Sequence, residues 1–331
     1  MPDWLALSDR EAPQGARPAQ IARGMFVLEF RLPLDGPTVL LSLQTEDGRA
    51  LSVFHDPDVG PAILVHAPTA QRRYRLDCRR TPDLTGVARL SLWLDAGVGI
   101  RRMRCQVLGA SAVAEMRGPD PLPFDGPLMQ QLADRIGGGH RHPSVLWFGL
   151  TSSPDLPKAA PWIGQNTPIE TVLGPVPAGQ LRPGMGIRTL DTGVRALKTI
   201  QHMTLPAAGS FAPVVLRRPF FAAERDLLVF ADQMLLISGA SVEYLTGEEQ
   251  ALAPAGALAD GRVAERDNRR AVTRCVALDL GAPALVVADG CCLLTMPPGG
   301  SQLDLPRRAL QDWEIIPLLS LLGRTSLRPA A

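Results

Sequence analysis

The cysteines have the greatest intrinsic reactivity in this chain of 331 residues, because a thiolate is both a nucleophile and a metal ligand. There are five of them: Cys78, Cys105, Cys275, Cys291 and Cys292. No two have the CxxC spacing of a metal or redox pair, and an odd number does not complete a disulfide framework. Free cysteine behaves most often as a small buried apolar residue. We therefore predict buried, unreactive thiols in a reducing compartment.

A second group that could do chemistry lies in the segment FHDPD. His55, Asp56 and Asp58 could hold a hard cation or a polar ligand. Calcium takes about six to eight oxygen ligands, and this segment offers no further carboxylates. We therefore predict an ordinary turn without metal or cofactor, and keep the three residues as a candidate binding site. His140 and His142 have no partner ligands nearby in sequence and are predicted to lie in a mobile surface loop.

Charge gives no reason to expect nucleic acid or an anionic membrane as a partner, since the formal net charge is +1. The local basic pairs are predicted to be solvated strand ends: Arg72-Arg73, Arg101-Arg102 and Arg217-Arg218. No apolar run approaches the ~20 residues of a membrane helix. The N-terminus lacks the cationic and then apolar pattern of a secretory signal. We expect a cytoplasmic location by default, with leaderless export or particle association left open.

The elements that must position these groups are predicted to be short β-strands. Glycine and proline number 31 each, and such a density of turn residues disfavours long helices. Seven strands follow residue 24 at a spacing of roughly 10 residues, several alternating apolar and polar side chains as in FVLEFRL. The pattern predicts an antiparallel β-sandwich over residues 24–137, preceded by an arm at residues 1–23.

The strand order and the hairpin ARLSLWLDAGVGIRRMRCQV loosely resemble the jelly-roll sandwich of laminin-G and concanavalin-like domains. Such sandwiches often bind sugars, so the resemblance implies a glycan or another protein as the partner. Residues 138–161, with glycine first and proline later, are predicted to form a linker. One apolar segment of this linker could dock as a strand.

Residues 162–296 carry four blocks in register: NTPIETVLGPVPAGQLRPGMGI, DLLVFADQMLLISG, EYLTGEEQALAPAGALADG and VALDLGAPALVVADG. In order and spacing they resemble the Hint (Hedgehog/intein) domain, most closely the bacterial stand-alone type common in alphaproteobacterial proteins. The resemblance implies a flat, pseudo-twofold β horseshoe. It also implies self-processing, in which an N-terminal Cys or Ser attacks the preceding carbonyl. A His in a Thr-x-x-His motif then protonates the leaving amide nitrogen.

At the positions that the resemblance assigns to this chemistry, the chain has other residues. Trp162 occupies the nucleophile position, counted back from Thr167, and indole has no suitable nucleophilic electron pair. Phe230 and Gln233 stand in the Thr-x-x-His motif. A carboxamide can donate a hydrogen bond but cannot shuttle a proton near neutral pH. The only histidine after residue 150 is His202, which is predicted to lie in a turn.

No other residue restores the chemistry in this register. None of the nearest hydroxyls, those of Ser152, Ser153 and Thr167, begins the first strand without shifting the register of every later match. Asp289-Gly290 occupies the place of the terminal His-Asn pair. The positions retained from the family pattern are predicted to be structural turns: Thr167, Thr171, Pro183 and Gly184.

The sequence thus predicts an all-β protein with few short helices. A jelly-roll-like antiparallel sandwich is followed by a Hint-type β horseshoe. Residues 297–331 form a tail with a short helix around residues 307–313, and its segment IIPLLSLL is predicted to pack back onto a domain or to meet a partner. We expect no catalytic residues and a role as a binding or assembly module. The alternatives are a self-processing protein that cleaves near Trp162 with a non-standard nucleophile, and a sandwich that hydrolyses glycans, for which no carboxylate pair at motif spacing is found.

Overall fold

The protein is built of antiparallel β-sheets, as predicted. The computed structural model describes residues 4–8, 20–77, 85–110, 113–126, 128, 139–156, 161–297 and 305–325. The chain divides into two compact units, Met1–Leu156 and Pro157–Ala331. Strands make up most of the described structure, which confirms the all-β class. The finer domain boundaries given above stay predictions.

The first unit is a sandwich of two main sheets. Its strands are β1 (Trp4–Leu7), β2 (Gln20–Ile21), β3 (Arg23–Leu32), β4 (Thr38–Gln44), β5 (Ala50–Asp56), β6 (Gly60–Ala67), β7 (Ala70–Arg75), β8 (Gly86–Asp95), β9 (Ile100–Val107), β10 (Val113–Pro119), β11 (Phe124–Asp125), β12 (His140–Arg141) and β13 (Val145–Thr151). One sheet has the order β1-β13-β3-β8-β9-β10, the other has the order β12-β4-β5-β6-β7, and β11 pairs with β2. Apolar side chains of both main sheets form one buried core.

The structure places parts of the predicted arm and linker in the first of these sheets. Strand β13 lies inside the predicted linker and pairs with the free side of β3, while β1 pairs with β13. The rings of Trp4 and Trp147, one from each strand, meet edge to face with centroids 5.6 Å apart. The physical reason is that the apolar runs WLAL and VLWFGLT bury their side chains only by completing a sheet.

The second unit has two sheets and two helices. Its elements are β14 (Ile163–Gly164), β15 (Pro168–Thr171), β16 (Gly174–Pro177), β17 (Gly186–Thr189), β18 (Gly193–Ala196), β19 (Thr199–Pro206), β20 (Pro213–Leu216), β21 (Leu227–Phe230), β22 (Met234–Ser238), α1 (Ala240–Thr246), β23 (Gln250–Pro254), β24 (Ala264–Arg266), β25 (Val272–Asp279), β26 (Ala284–Ala288), β27 (Cys291–Thr295) and α2 (Asp312–Thr325). The sheet orders are β19-β25-β14-β21-β20-β24 and β16-β15-β17-β26-β27-β22-β23, with β18 on β17.

The tail packs back onto the second unit, and its helix starts later than predicted. Helix α2 begins at Asp312, not near residue 307. The carboxylate of Glu314 accepts a hydrogen bond from the backbone N–H of Gln311 at 2.8 Å and pairs with Arg308. This contact satisfies a free backbone N–H at the start of the helix and so caps its first turn. Ile315 and Leu318 are buried in the core of the unit. Within the described residues, neither helix has the length and apolarity that crossing a bilayer demands.

Candidate functional site

Trp162 directly precedes β14, a central strand of the six-stranded sheet in the second unit. The next two residues form β14, which pairs with β25 on one side and β21 on the other. The carbonyl oxygen of Trp162 accepts a hydrogen bond from the backbone N–H of Phe230 at 3.1 Å. Both side chains are almost fully buried. The position predicted for the nucleophile therefore holds an indole that is part of the sheet, and this group offers no attacking atom.

Gln233 lies in the tight turn between β21 and β22 and is completely buried. Its Nε2 donates two hydrogen bonds, to the carbonyl oxygens of Met234 at 3.0 Å and Leu294 at 2.9 Å. Its Oε1 is buried and has no hydrogen-bond partner among the residues that the structure describes. The carboxamide thus ties the start of β22 to β27. Both of its donor hydrogens are used in this role, and a carboxamide cannot take up a proton near neutral pH.

The retained threonines bond to the backbone. Thr167 Oγ1 donates to the carbonyl oxygen of Leu228 at 2.8 Å, joining the start of the domain to β21. Thr171 Oγ1 donates to the carbonyl oxygen of Gly174 at 2.6 Å and so closes the turn between β15 and β16. Gly184 has φ +90°, a left-handed conformation that other residues adopt at a cost. Each of these groups holds a turn or a strand junction.

Cys275 is the thiol that the sheet brings next to the start of the domain, since it lies opposite Gly164 on the neighbouring strand. It is buried, and its Sγ donates to the carbonyl oxygen of Met203 at 3.6 Å. Burial strongly raises the pKa of the Cys275 thiol. Burial, followed by the nearby Cys292 and Asp289, raises the pKa of Cys291 to about 12. These thiols are protonated at neutral pH and are poor nucleophiles.

We expect Cys275 and Cys291 to resist alkylation in the folded protein. Iodoacetamide at pH 8 should label neither residue within the time that labels a small-molecule thiol to completion, because only the thiolate reacts. Both should react fully after unfolding in guanidinium chloride. Peptide mass spectrometry of the two samples provides the measurement. Rapid native labelling of Cys275 would contradict this expectation and would supply a nucleophile beside β14.

Asp289-Gly290 stands at the place of the terminal His-Asn pair, and its aspartate accepts hydrogen bonds from the backbone of the loop before β21. Asp289 Oδ2 accepts hydrogen bonds from the backbone N–H groups of Glu224 at 3.0 Å and Arg225 at 2.8 Å. Its Oδ1 accepts a third from Arg225 Nε at 3.0 Å. Sequence reasoning did not find this role, although the Asp-Gly dipeptide is a turn signal. His202, predicted to lie in a turn, instead lies in β19 opposite Val276 with an exposed side chain, because the whole segment TIQHMTLP pairs with β25.

The three residues of the FHDPD segment do not converge on one point. His55 ends up against the core, its ring centroid 5.4 Å from that of Phe30. Asp56 Oδ1 accepts the backbone N–H of Asp58 at 2.9 Å, which closes the turn between β5 and β6. The histidine of the predicted surface loop, His140, instead belongs to β12 and contacts the carbonyl oxygen of Val39 through Nε2 at 3.1 Å. Nowhere in the described part of the chain do three or more His, Cys, Asp or Glu side chains form a group able to hold a metal ion.

His55 should make the first unit less stable in acid. Its Nδ1 is buried with no hydrogen-bond partner in the described part of the unit, and burial lowers the pKa of His55 below the usual value of 6.5. The unfolded chain therefore binds a proton at a higher pH than the folded protein does. The stabilisation is present above about pH 6.5 and is lost as the pH falls towards the folded pKa. Melting temperatures measured between pH 7.5 and 5 should fall, and His55→Gln should flatten that slope. The control variant His66→Gln alters an exposed histidine and should leave the slope of melting temperature against pH as in the wild type. Equal slopes in the two variants would refute the contribution of His55 to the acid sensitivity.

The fold and these positions together define an all-β protein of two units, a sandwich and a β module whose predicted reactive positions hold a buried indole and a buried carboxamide. Residues 163–300 match the model of the Hint domain family, which confirms the resemblance predicted from the four blocks. No curated protein sequence matches the chain.

Solved structures that are similar to parts of the chain include the following three. The CBM40 module of the Ruminococcus gnavus IT-sialidase is 11% identical over 40% of this chain and 76% of that one, with a TM-score of 0.26. The acidic lectin of winged bean, in complex with methyl-α-D-galactose, is 12% identical over 41% and 64%, with a TM-score of 0.20. The LG1-3 region of the laminin α2 chain is 9% identical over 92% and 57%, with a TM-score of 0.25.

Proposed function

We propose that this is a non-catalytic Hint-domain protein that serves as a binding or assembly module. The observation that carries the proposal is the role of Gln233. Its carboxamide is buried and uses both donor hydrogens to join two strands. At the position where the family pattern has a proton-transferring histidine, this chain therefore has a residue that stabilises the sheet. Trp162 supports the same conclusion, because its side chain is buried and its carbonyl is bonded within the sheet.

The sandwich supplies the surface for binding a glycan or another protein. On the five-stranded sheet, Ser42 and Ser52 are hydrogen bonded at 3.1 Å, and the strand register continues this row to Leu64 and Arg73. Phe54 lies two residues beyond Ser52 on the same face of β5 and is 37% exposed. Hydroxyl and guanidinium donors beside an exposed aromatic ring are the groups that bind a polyhydroxylated ligand or a polar protein surface.

Intact-mass measurement tests whether the domain processes itself. The purified chain is incubated for a day at neutral pH with and without dithiothreitol or hydroxylamine, reagents that cleave a thioester or an ester. We expect a single species of full mass, because the positions of nucleophile and proton donor hold indole and carboxamide. Fragments that divide near residue 161 would overturn the proposal and favour self-processing. In that case Ser153→Ala and Thr167→Ala would show which hydroxyl attacks.

A further inference from the structure

The open edge of the sandwich brings together two arginines that are far apart in sequence. Strands β7 and β10 are the edge strands of the two main sheets on this side. Arg101, on β9, places its guanidinium over the ring of Tyr74, on β7, with Cζ 4.9 Å from the ring centroid. Tyr74 is fully buried and its Oη accepts the backbone N–H of Leu122 at 2.9 Å. The tyrosine therefore forms a fixed platform under the charge of Arg101.

The guanidinium of Arg101 occupies space left by the missing side chain of a glycine. Gly118 lies opposite Arg101 in the register of β9 and β10. A Cβ at Gly118 would lie 2.8 Å from both Nε and Nη2 of Arg101, so any larger residue would displace the group. The φ of Gly118 lies outside the left-handed region, so the backbone conformation does not require glycine here. What glycine provides at this position is room for the arginine.

Arg101 has no counter-charge in the described part of the chain. The arginine beside it, Arg102, pairs with Asp155 at 2.8 Å, and Arg117 across the hairpin pairs with Glu115 at 2.8 Å. By contrast, no carboxylate among the described residues forms an ion pair with Arg101, and its Nε is buried without a hydrogen-bond partner. A partly buried guanidinium without an anion loses hydration and gains little in return.

The surroundings of Tyr74 are positive overall. Burial raises the pKa of the Tyr74 hydroxyl, and the charges of Arg101 and Arg72 both act on that hydroxyl from nearby. Arg72 is exposed, and its one described hydrogen bond is to the carbonyl oxygen of Gln71 at 3.1 Å. Among the described residues, the carboxylate of Asp120 also acts on this hydroxyl, with the opposite sign. Two cations thus face one carboxylate, which leaves charge for a ligand.

We propose that Arg101 and Arg72, arranged around Tyr74, bind the carboxylate or sulfate groups of an acidic glycan. A guanidinium presents a planar fork of N–H donors that matches the oxygens of such groups. The site is separate from the row that ends at Arg73, because successive residues of a strand alternate between faces and Arg73 lies on the face of β7 opposite Arg72 and Tyr74. The inference rests on the proposed function, in which the sandwich binds a glycan, and it specifies that the glycan is anionic.

The test compares matched charged and neutral sugars on the full chain. The probes are pentagalacturonate and its methyl ester, and dextran sulfate and dextran, with binding measured by titration calorimetry. We expect the charged member of at least one pair to bind about tenfold or more tightly than its neutral partner, because a charge-assisted pair contributes on this order. Raising the salt concentration should weaken the binding. Pentagalacturonate and dextran sulfate distinguish a carboxylate from a sulfate as the group recognised.

Two variants assign the binding to this site. Arg101→Gln removes the charge, and Gly118→Ala displaces the guanidinium without removing it; each should weaken binding of the charged sugar about tenfold or more. Arg31→Gln, which alters an exposed arginine on β3, is the matched control and should bind as the wild type does. Melting curves of all three establish that they are folded. If Gly118→Ala does not fold, Arg101→Gln alone decides.

Each other outcome overturns the inference in a recognisable way. Equal affinity for the charged and neutral sugars, or unchanged binding by Arg101→Gln, would refute the anionic site while leaving glycan binding intact. Binding of none of the four sugars would remove the glycan from the proposed function as well. Binding of polyglutamate through Arg101, with no sugar bound, would replace the acidic glycan by an acidic protein segment.

Discussion

Replacing Gly290 by alanine is expected to destabilise the Hint domain by about 4 kcal/mol. Gly290 has φ +87°, and an added Cβ would collide with the carbonyl oxygen of Ala222. The left-handed conformation alone costs a non-glycine residue about 1–2 kcal/mol. The remainder comes from the collision, because Asp289 holds the neighbouring loop by its backbone N–H groups and prevents it from moving away.

Urea denaturation, followed by tryptophan fluorescence and circular dichroism, measures the loss. Gly261→Ala is the matched control within the same unit. Gly261 has φ +82°, but nothing lies within 4 Å of an added Cβ. It should lose only the conformational part, about 1–2 kcal/mol. Equal losses in the two variants would show that Gly290 and Ala222 do not approach closely. The structural role assigned to Asp289-Gly290 against the neighbouring loop would then be wrong.

Replacing Gln233 by leucine should cost about 2–3 kcal/mol of stability. The change keeps the volume but removes the hydrogen bonds to the carbonyl oxygens of Met234 and Leu294. Leu294 is buried, so water does not replace the lost donor there. An unpaired buried acceptor costs about 1–3 kcal/mol. The free energy of unfolding from urea titration supplies the comparison with wild type.

Gln233→His is the informative control, because it restores the residue type that the family pattern has at this position. Neutral imidazole has one N–H and can serve only one of the two carbonyl oxygens, so about half of the loss should remain. If Gln233→Leu were as stable as wild type, the carboxamide would have no structural role. The main support for a non-catalytic domain would then be gone.

The sequence by itself determined that the chain folds into β-strands and which side chains occupy the positions of the family's reactive groups. Alternating short strands and dense turn residues are local signals, and local signals predict an all-β chain well because the pleat has a period of two residues. That Trp162 and Gln233 cannot act as nucleophile and proton donor could likewise be concluded without a structure. Their chemistry belongs to the side chain itself: folding makes neither an indole nor a carboxamide a good nucleophile or a group that titrates near neutral pH.

Tertiary structure alone decided which distant residues meet. Strand β13 lies between β1 and β3, Asp289 holds the backbone of Glu224 and Arg225, and Arg101 lies over Tyr74. As sequence pairs, Arg72-Arg73 and Arg101-Arg102 are indistinguishable from solvated strand ends. Only the packing of the two sheets, in which Arg101 of one lies over Tyr74 of the other, shows that this arginine is held over a ring and lacks a counter-charge among the described residues. Such contacts depend on pairing between strands remote in sequence, and no local pattern specifies that pairing.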